Sequence, residues 1–277
     1  MRFLHFLAFQ LRWYIWRKRW LLPLPVLLFI AYRSYNAVRA LGASGVTPPN
    51  AWDLLFLALG NPYNIYLAIG LLYLYLLCDL LPEPDVGQLV LMRLGSRRDW
   101  WLGKLATLTI ATLVYVIGSA AVLGMIASLA FPWQAGYSTA AMNMPEQVNL
   151  PMNYFRLIDP GPPLLVISQE LLLLGLGLFC FGLLMVVFTQ LTQRYFIGLV
   201  AGVLILFGSF AGLSLSGPPA WAVTLPSAHL TYLTFTPVRT LPVIGSVLYW
   251  SAWIGLLAGI GYGLSRRQDH LSTTHHE

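Results

Sequence analysis

Long stretches of this chain are apolar and contain no acidic or basic side chain other than histidine. Such stretches cover residues 54–78, 105–145, 171–193, 195–238 and 240–265, and a shorter one at 20–32 follows a basic cluster. A helix needs about 20 mostly apolar residues to cross roughly 30 Å of hydrocarbon. The runs are continuous, which favours helices over the alternating strands of a β-barrel. The pattern therefore predicts an all-α integral membrane protein with six transmembrane helices near residues 20–40, 60–81, 105–131, 164–189, 196–215 and 242–264.

Composition agrees with this class. Of 277 residues, 58% are hydrophobic and 9% are charged, whereas a globular domain has about 45–50% apolar and about 25% charged residues. This balance excludes both a soluble domain and a disordered chain. Cys78 and Cys180 both fall within predicted spans, which argues against a disulfide framework or a zinc site.

The distribution of basic residues predicts the orientation. With the N-terminus in the cytoplasm, every one of the 16 Lys and Arg residues lies on the inner side except Arg33, Arg39, Arg156 and Arg239. Cytoplasmic loops carry such an excess of positive charge. We therefore predict a multi-pass protein of a bacterial plasma (inner) membrane, with both termini inside, surrounded by membrane lipids. The basic pI follows from this bias, and no nucleic-acid partner is expected.

The N-terminal segment 1–19 is predicted to hold a cytoplasmic amphipathic helix over residues 2–18, lying in the plane of the inner interface. One face carries aliphatic residues and another carries basic residues: Leu4, Leu7, Leu11 and Ile15 against His5, Arg12 and Arg19. A basic leader before the first span is the alternative interpretation.

The cytoplasmic loop 82–104 is predicted to contain a short helix. Two prolines close the second span, and the spacing of a capping box from Asp85 begins a helix over residues 86–94. Gly95 suits the position that ends it. A second capping box over residues 96–99 opens the third span.

The remaining loops differ in character. Residues 132–163 form a predicted outer loop with few charges, and 265–277 form a cytoplasmic tail. Residues 216–241 are too broken by proline for a span and too apolar for a solvated loop. We expect that outer segment to be re-entrant, since irregular backbone at membrane depth must be buried in protein.

Glycines at four-residue spacing predict close approach of helix backbones. They occur in the fifth and sixth spans: Gly198/Gly202, Gly208/Gly212 and Gly255/Gly259/Gly263. Tryptophans cluster near the predicted interfaces, among them Trp100 and Trp101, and interfacial anchoring is the expected role of most of them.

Three ionisable residues lie in or near spans and are candidates for an intramembrane pathway: Glu170, Asp79 and Arg33. A charge unpaired in lipid is costly, so each is a functional candidate. The simpler interpretation places Asp79 at the inner interface and lets Arg33 snorkel to the outer one.

Motifs of catalysis are missing from the sequence. Gly103-Lys104 lacks the other residues of a Walker A motif, and there is no HExxH. We therefore expect no enzymatic activity of the chain itself.

The run Leu91–Lys104 resembles the Arg-Gly-Ser-Arg and Trp-x-Gly-Lys passage that enters the third span of permease subunits of ABC-2 type exporters. The six spans, the amphipathic N-terminal helix and the broken segment between spans five and six are similar to the same family.

The resemblance implies partners and roles. ABC ATPase subunits would bind ATP and Mg, so the chain itself would bind no cofactor, and a second permease copy or a related permease would complete the transporter. The helix at 86–94 would be the coupling helix, with four charged residues meeting the ATPase and two tryptophans anchoring the third span: Arg93, Arg97, Arg98 and Asp99, then Trp100 and Trp101. The export of a hydrophobic or amphipathic substrate is expected. A membrane-embedded lipid-modifying enzyme and a non-transporting scaffold or immunity protein are the alternatives.

Overall fold

A computed structural model describes residues 2–42, 48–81, 96–136, 138, 162–213, 224–230 and 243–267. Within these ranges the chain is helical and has no β-strand, which confirms the all-α prediction. The helices are α1 (Arg2–Tyr14), α2 (Pro23–Gly42), α3 (Ala51–Gly60), α4 (Leu71–Leu77), α5 (Arg97–Ala130), α6 (Pro163–Thr192), α7 (Tyr195–Leu213), α8 (Ser227–Leu230) and α9 (Val243–Arg267). A 3₁₀ turn, Lys18–Leu21, precedes α2. A π-helical segment, Tyr63–Gly70, leads into α4, and a second 3₁₀ turn, Cys78–Leu80, follows it.

Several of these helices are long and apolar enough to cross a membrane. Four qualify singly: Lys18–Ala40, Arg97–Ala130, Pro163–Thr192 and Val243–Arg266. A bent pair made of α3 and Tyr63–Leu77 qualifies as a fifth, and α7 is a shorter apolar helix. The lengths fit a membrane-embedded protein, while the count of six spans and their orientation remain predictions.

The region of the second predicted span, 60–81, contains a sharp bend. α3 and the helix that follows meet at an angle of 69°. The backbone of Asn61 is extended (φ −73°, ψ 115°), because a residue before proline disfavours the helical conformation and Pro62 follows. The Asn64 amide donates to the carbonyls of Leu57 at 3.4 Å and Ala58 at 3.0 Å. It thereby satisfies carbonyls that the end of α3 leaves without helical partners.

The start of α3 is tied to the chain that follows α5. Asn50 and Asp53 form a complete capping box: the Asn50 side chain accepts from Asp53 N at 3.2 Å, and the Asp53 carboxylate accepts from Asn50 N at 2.8 Å. The Asn50 amide also donates to the carbonyl of Gly136, and the Trp52 indole donates to that of Gln134, each at 2.9 Å. These bonds fix the first residues of the predicted outer loop 132–163 against the bundle.

α6 runs through the centre of the bundle, with α5, α7 and α9 packed around it. A Cβ added at Gly198 of α7 would overlap Thr189 of α6, and one at Gly202 would lie 3.3 Å from Leu74. The close approach predicted for this glycine pair is therefore confirmed.

The other glycines that the structure describes at this spacing do not pack within the chain. A Cβ would meet nothing within 4 Å at Gly208, Gly255, Gly259 or Gly263. The prediction of close approach is wrong at these positions for contacts inside the described chain. α9 instead approaches its neighbours at Gly261, where a Cβ would overlap the Trp101 ring.

Part of the predicted outer segment 216–241 is buried. α8 packs against α6, α7 and α9, and Leu230 fills the space beside Gly177 of α6. The Trp250 indole donates to the carbonyl of His229 at 2.9 Å. Buried, hydrogen-bonded backbone of this kind is what a re-entrant element requires. Residues 214–223 and 231–242 lie outside the described residues.

Candidate functional site at the start of α5

A lysine is buried near the start of α5. Lys104 is 1% exposed, although lysine is almost never buried without partners. Its Nζ donates to Gln10 Oε1 at 3.0 Å and to the backbone oxygen of Leu80 at 2.7 Å. It also lies 5.1 Å from the ring centroid of Tyr14, within cation–π range. The ammonium group of Lys104 thus joins α1 and α5 to the 3₁₀ turn that follows α4.

Two aromatic side chains of α1 complete this site. The Tyr14 hydroxyl donates to the same Leu80 oxygen at 3.4 Å. The ring of Phe6 occupies the space that a Cβ at Gly103 would need, so the glycine allows α1 to lie close against α5. We refer to the set as the Lys104 clamp: Phe6, Gln10, Tyr14, Leu80, Gly103 and Lys104.

The electrostatics of the clamp explain its polar members. An ammonium ion removed from water loses several kcal/mol of hydration even after the protein relaxes. The amide oxygen of Gln10 and the carbonyl oxygen of Leu80 return two hydrogen bonds to it. Hydrogen bonds to an ammonium group are stronger in the low dielectric of the protein interior than in water.

α1 packs by a face different from its predicted aliphatic one. Phe6, Gln10 and Tyr14 recur every four residues and are all buried, whereas Leu4 is 67% exposed. Residues at this spacing share one side of a helix. The helix also ends at Tyr14, short of the predicted limit at residue 18. Gln10 lies at the centre of this buried face, where its side chain is a hydrogen-bond acceptor for Lys104.

The two tryptophans at the start of α5 contact protein. Trp100 and Trp101 are 1% and 2% exposed, so interfacial anchoring is the wrong interpretation for this pair. The Trp101 indole donates to the carbonyl of Ala258 at 3.1 Å, and its ring lies against Gly261. Trp101 therefore fastens α5 to α9.

Of the capping box predicted over residues 96–99, the N-cap bond of Ser96 is present. The Ser96 hydroxyl accepts a hydrogen bond from Asp99 N at 3.3 Å. Arg97 and Arg98 are exposed, and Arg97 Nη1 donates to the carbonyl of Arg266 at the end of α9. Arg93 and the predicted helix 86–94 lie outside the described residues, so their place relative to this cap stays a prediction.

Of the three intramembrane candidates, Glu170 and Arg33 lie far from the clamp residues in the chain, whereas Asp79 directly precedes Leu80. Glu170 on α6 is fully buried. Arg33 is exposed on α2. Asp79 belongs to the 3₁₀ turn before Leu81, and its side chain is outside the described residues.

Sequence reasoning missed a buried histidine. His229 of α8 stacks on the ring of Tyr249 with centroids 4.0 Å apart, and its Nδ1 lies 3.0 Å from Ser246 Oγ. The sequence around His229 has no helical periodicity of apolar residues and no neighbouring charged residue. Only the packing of α8 against α9 in the folded chain identifies this histidine as buried. The cluster ties α8 to α9 at the end of the bundle opposite the clamp in the predicted orientation.

The clamp can act mechanically, because hydrogen bonds and packing join α1 and α5 to the 3₁₀ turn that follows α4. The described ranges hold no group of three His, Cys, Asp or Glu side chains placed to bind a metal ion. No family model, no curated protein and no solved structure matches the chain.

Proposed function

We propose that this chain is the membrane-spanning permease subunit of an ATP-driven ABC-2 type exporter that moves a hydrophobic or amphipathic substrate. Long apolar helices support its place in a membrane, and the Leu91–Lys104 passage supports the family. Two permeases, identical or related, assemble with two ATPase subunits, which bind ATP and Mg. Six spans leave both termini in the cytoplasm.

The Lys104 clamp is the observation that carries this proposal. Leu80 precedes the predicted coupling loop 82–104 and Lys104 is its last residue, and a 2.7 Å hydrogen bond connects them. Without that bond, a push on the loop would spread its two ends apart. With it, both ends of the loop and α1 move together when the ATPase subunits close.

The connection continues from α5 into α9. Trp101 bonds to Ala258 and Arg97 bonds to Arg266, each through a backbone carbonyl of α9. A displacement of the loop therefore reaches α1, α4, α5 and α9 as a unit. Movement of such a packed group against the remaining helices is a shear transition, and in this proposal it switches the substrate pathway between inward and outward states.

Co-purification with an ATPase tests the proposal. The tagged chain is isolated from its native membranes in mild detergent, bound proteins are identified by mass spectrometry, and ATP hydrolysis and ATP-driven transport are measured. We expect an ABC ATPase in the complex. The absence of any ATPase from the purified complex contradicts the proposal.

A charge reversal tests the docking surface. We expect Arg98→Glu to lower ATPase association and ATP-driven transport more than tenfold, because Arg98 is exposed beside the predicted loop. Arg194→Glu is the matched control, since Arg194 is exposed at the α6–α7 turn on the same predicted side. Equal behaviour of the two variants would remove Arg98 from the docking surface.

A further inference from the structure

The N-terminal part of the chain carries charge of one sign. Every charged side chain that precedes Asp53 is basic. Among them, Arg12 on α1 and Lys18 in the following 3₁₀ turn are exposed, as is Arg17 between them. A surface that carries this basic charge attracts anionic partners.

The position of α1 places this surface at the side of the bundle. α1 contacts α5 at Gly103 and Lys104. Lys104 is in the third turn of α5, about 10 Å along the helix axis from its first residue, Arg97, because each helical residue rises 1.5 Å. α1 therefore lies beside α5 and not beneath its end. The exposed side of α1 faces outward, next to the point where α2 begins.

Aromatic and apolar side chains accompany the basic ones. Trp16 is 86% exposed and Trp13 is 37% exposed, and the next exposed apolar residues are Leu21 and Leu22. The Arg17 guanidinium lies 5.0 Å from the Trp13 ring centroid. Indole rings with adjacent cations are typical of headgroup depth in a bilayer. A water-facing protein interface would not continue directly into the exposed leucines that open a spanning helix.

We propose that the exposed side of α1 and the following turn bind the headgroups of anionic phospholipids. Arg12 and Lys18 pair with headgroup phosphates, while Trp13 and Trp16 lie at the level of the glycerol backbone. The buried side of α1 is fixed by the Lys104 clamp, so lipids bound here hold an element already joined to α5. This proposal does not depend on the ABC assignment.

Lipid titration of the full-length protein tests it. Detergent-solubilised protein is titrated with phosphatidylglycerol and with phosphatidylcholine, and bound lipid is counted by native mass spectrometry. Each basic residue near an anionic surface contributes about fivefold in affinity. The double variant R12Q/K18Q should therefore lose about 25-fold in phosphatidylglycerol affinity, with phosphatidylcholine binding unchanged.

The matched control removes two other exposed charges. R33Q/R39Q alters two exposed arginines on α2 and should keep the preference for phosphatidylglycerol. Unfolding temperatures of both variants in zwitterionic detergent should equal that of the unaltered protein, which separates lipid binding from folding. Inorganic phosphate at millimolar concentration should not compete.

Several results would overturn the proposal. One is equal affinity of the unaltered protein for the two lipids, and another is an equal loss in R33Q/R39Q, which would indicate net charge alone. Full competition by inorganic phosphate would indicate a general anion site. If R12Q/K18Q keeps its lipid preference and loses a bound protein subunit, the surface belongs to that protein.

Discussion

Replacement of Lys104 by methionine tests the clamp directly, because methionine fills a similar volume without charge or donors. Lys104→Met removes the hydrogen bonds to Gln10 and Leu80. A hydrogen bond to a charged group contributes about 1.5–3 kcal/mol, so the two together contribute about 3–6 kcal/mol.

Of these two bonds, the one to Gln10 belongs to α1, so the docking of α1 should lose about 2 kcal/mol. The Leu80 oxygen keeps only the longer bond from Tyr14, at 3.4 Å, and the buried Gln10 loses the Lys104 donor. A loss of this size multiplies the population of the detached helix by about 30. α6 contributes no member of the clamp and should be unaffected.

Hydrogen exchange followed by mass spectrometry in zwitterionic detergent measures this opening. Backbone amides of α1 should exchange about 30-fold faster in Lys104→Met, with no change in α6. Lys18→Met is the matched control, because it removes the other lysine of the chain, which is exposed. That variant should leave the exchange of α1 unchanged.

A double-mutant cycle identifies the partner. Gln10→Leu alone should loosen α1, and the same change made on the Lys104→Met background should add little, giving a coupling energy of about 1–2 kcal/mol. If the two effects add fully, or if Lys104→Met leaves the exchange of α1 as it was, Lys104 does not hold α1 and the argument for the clamp is refuted.

Two further predictions concern packing and capping, both measured as the midpoint of thermal unfolding in detergent. Gly261→Ala forces a methyl group into the Trp101 ring and should cost about 1–3 kcal/mol, while Gly259→Ala, which meets open space, should be neutral or slightly stabilising; equal effects would contradict the contact with Trp101. Asn50→Ala removes the N-cap of α3 and the bond to Gly136 and should cost about 1–2 kcal/mol; an unchanged midpoint would show that the cap does not stabilise α3.

The long helices could be predicted because hydropathy over 20 residues is a local property. α6 illustrates this, since its sequence predicts a span at 164–189 and the helix runs from Pro163 to Thr192. The cap at Ser96 was also readable, because a capping box depends on residues three apart. In both cases the signal and the structure occupy the same short stretch of chain.

The sequence contains a signal for the bend after α3, but the distribution of charged residues does not show it. An Asn-Pro dipeptide favours a turn, and Asn61-Pro62 lies in the middle of an apolar run. Counting charges treats that run as uniform, so the prediction began the span at residue 60 and missed α3. Because Pro62 disfavours the helical conformation at Asn61, the dipeptide predicts that this run is divided into two helices.

The clamp could not be predicted, because its members are far apart in the chain. Gln10 is 94 residues from Lys104, and Leu80 contributes only a backbone oxygen. In the sequence Lys104 is one more basic residue at the cytoplasmic end of a span, which topology alone explains. Its burial depends on Gly103, whose missing side chain lets Phe6 and the rest of α1 approach.

Basic residues on the predicted inner side therefore serve different physical roles that the charge bias treats alike. Lys104 is buried and holds α1, Arg97 reaches the carbonyl of Arg266, and Arg12 and Lys18 face outward. Topology depends on the sum of such charges near the spans, so the loss of one buried lysine should leave the orientation of the chain unchanged. The docking of α1 depends on the single hydrogen-bonded group, and that is why Lys104→Met should separate the two roles within one molecule.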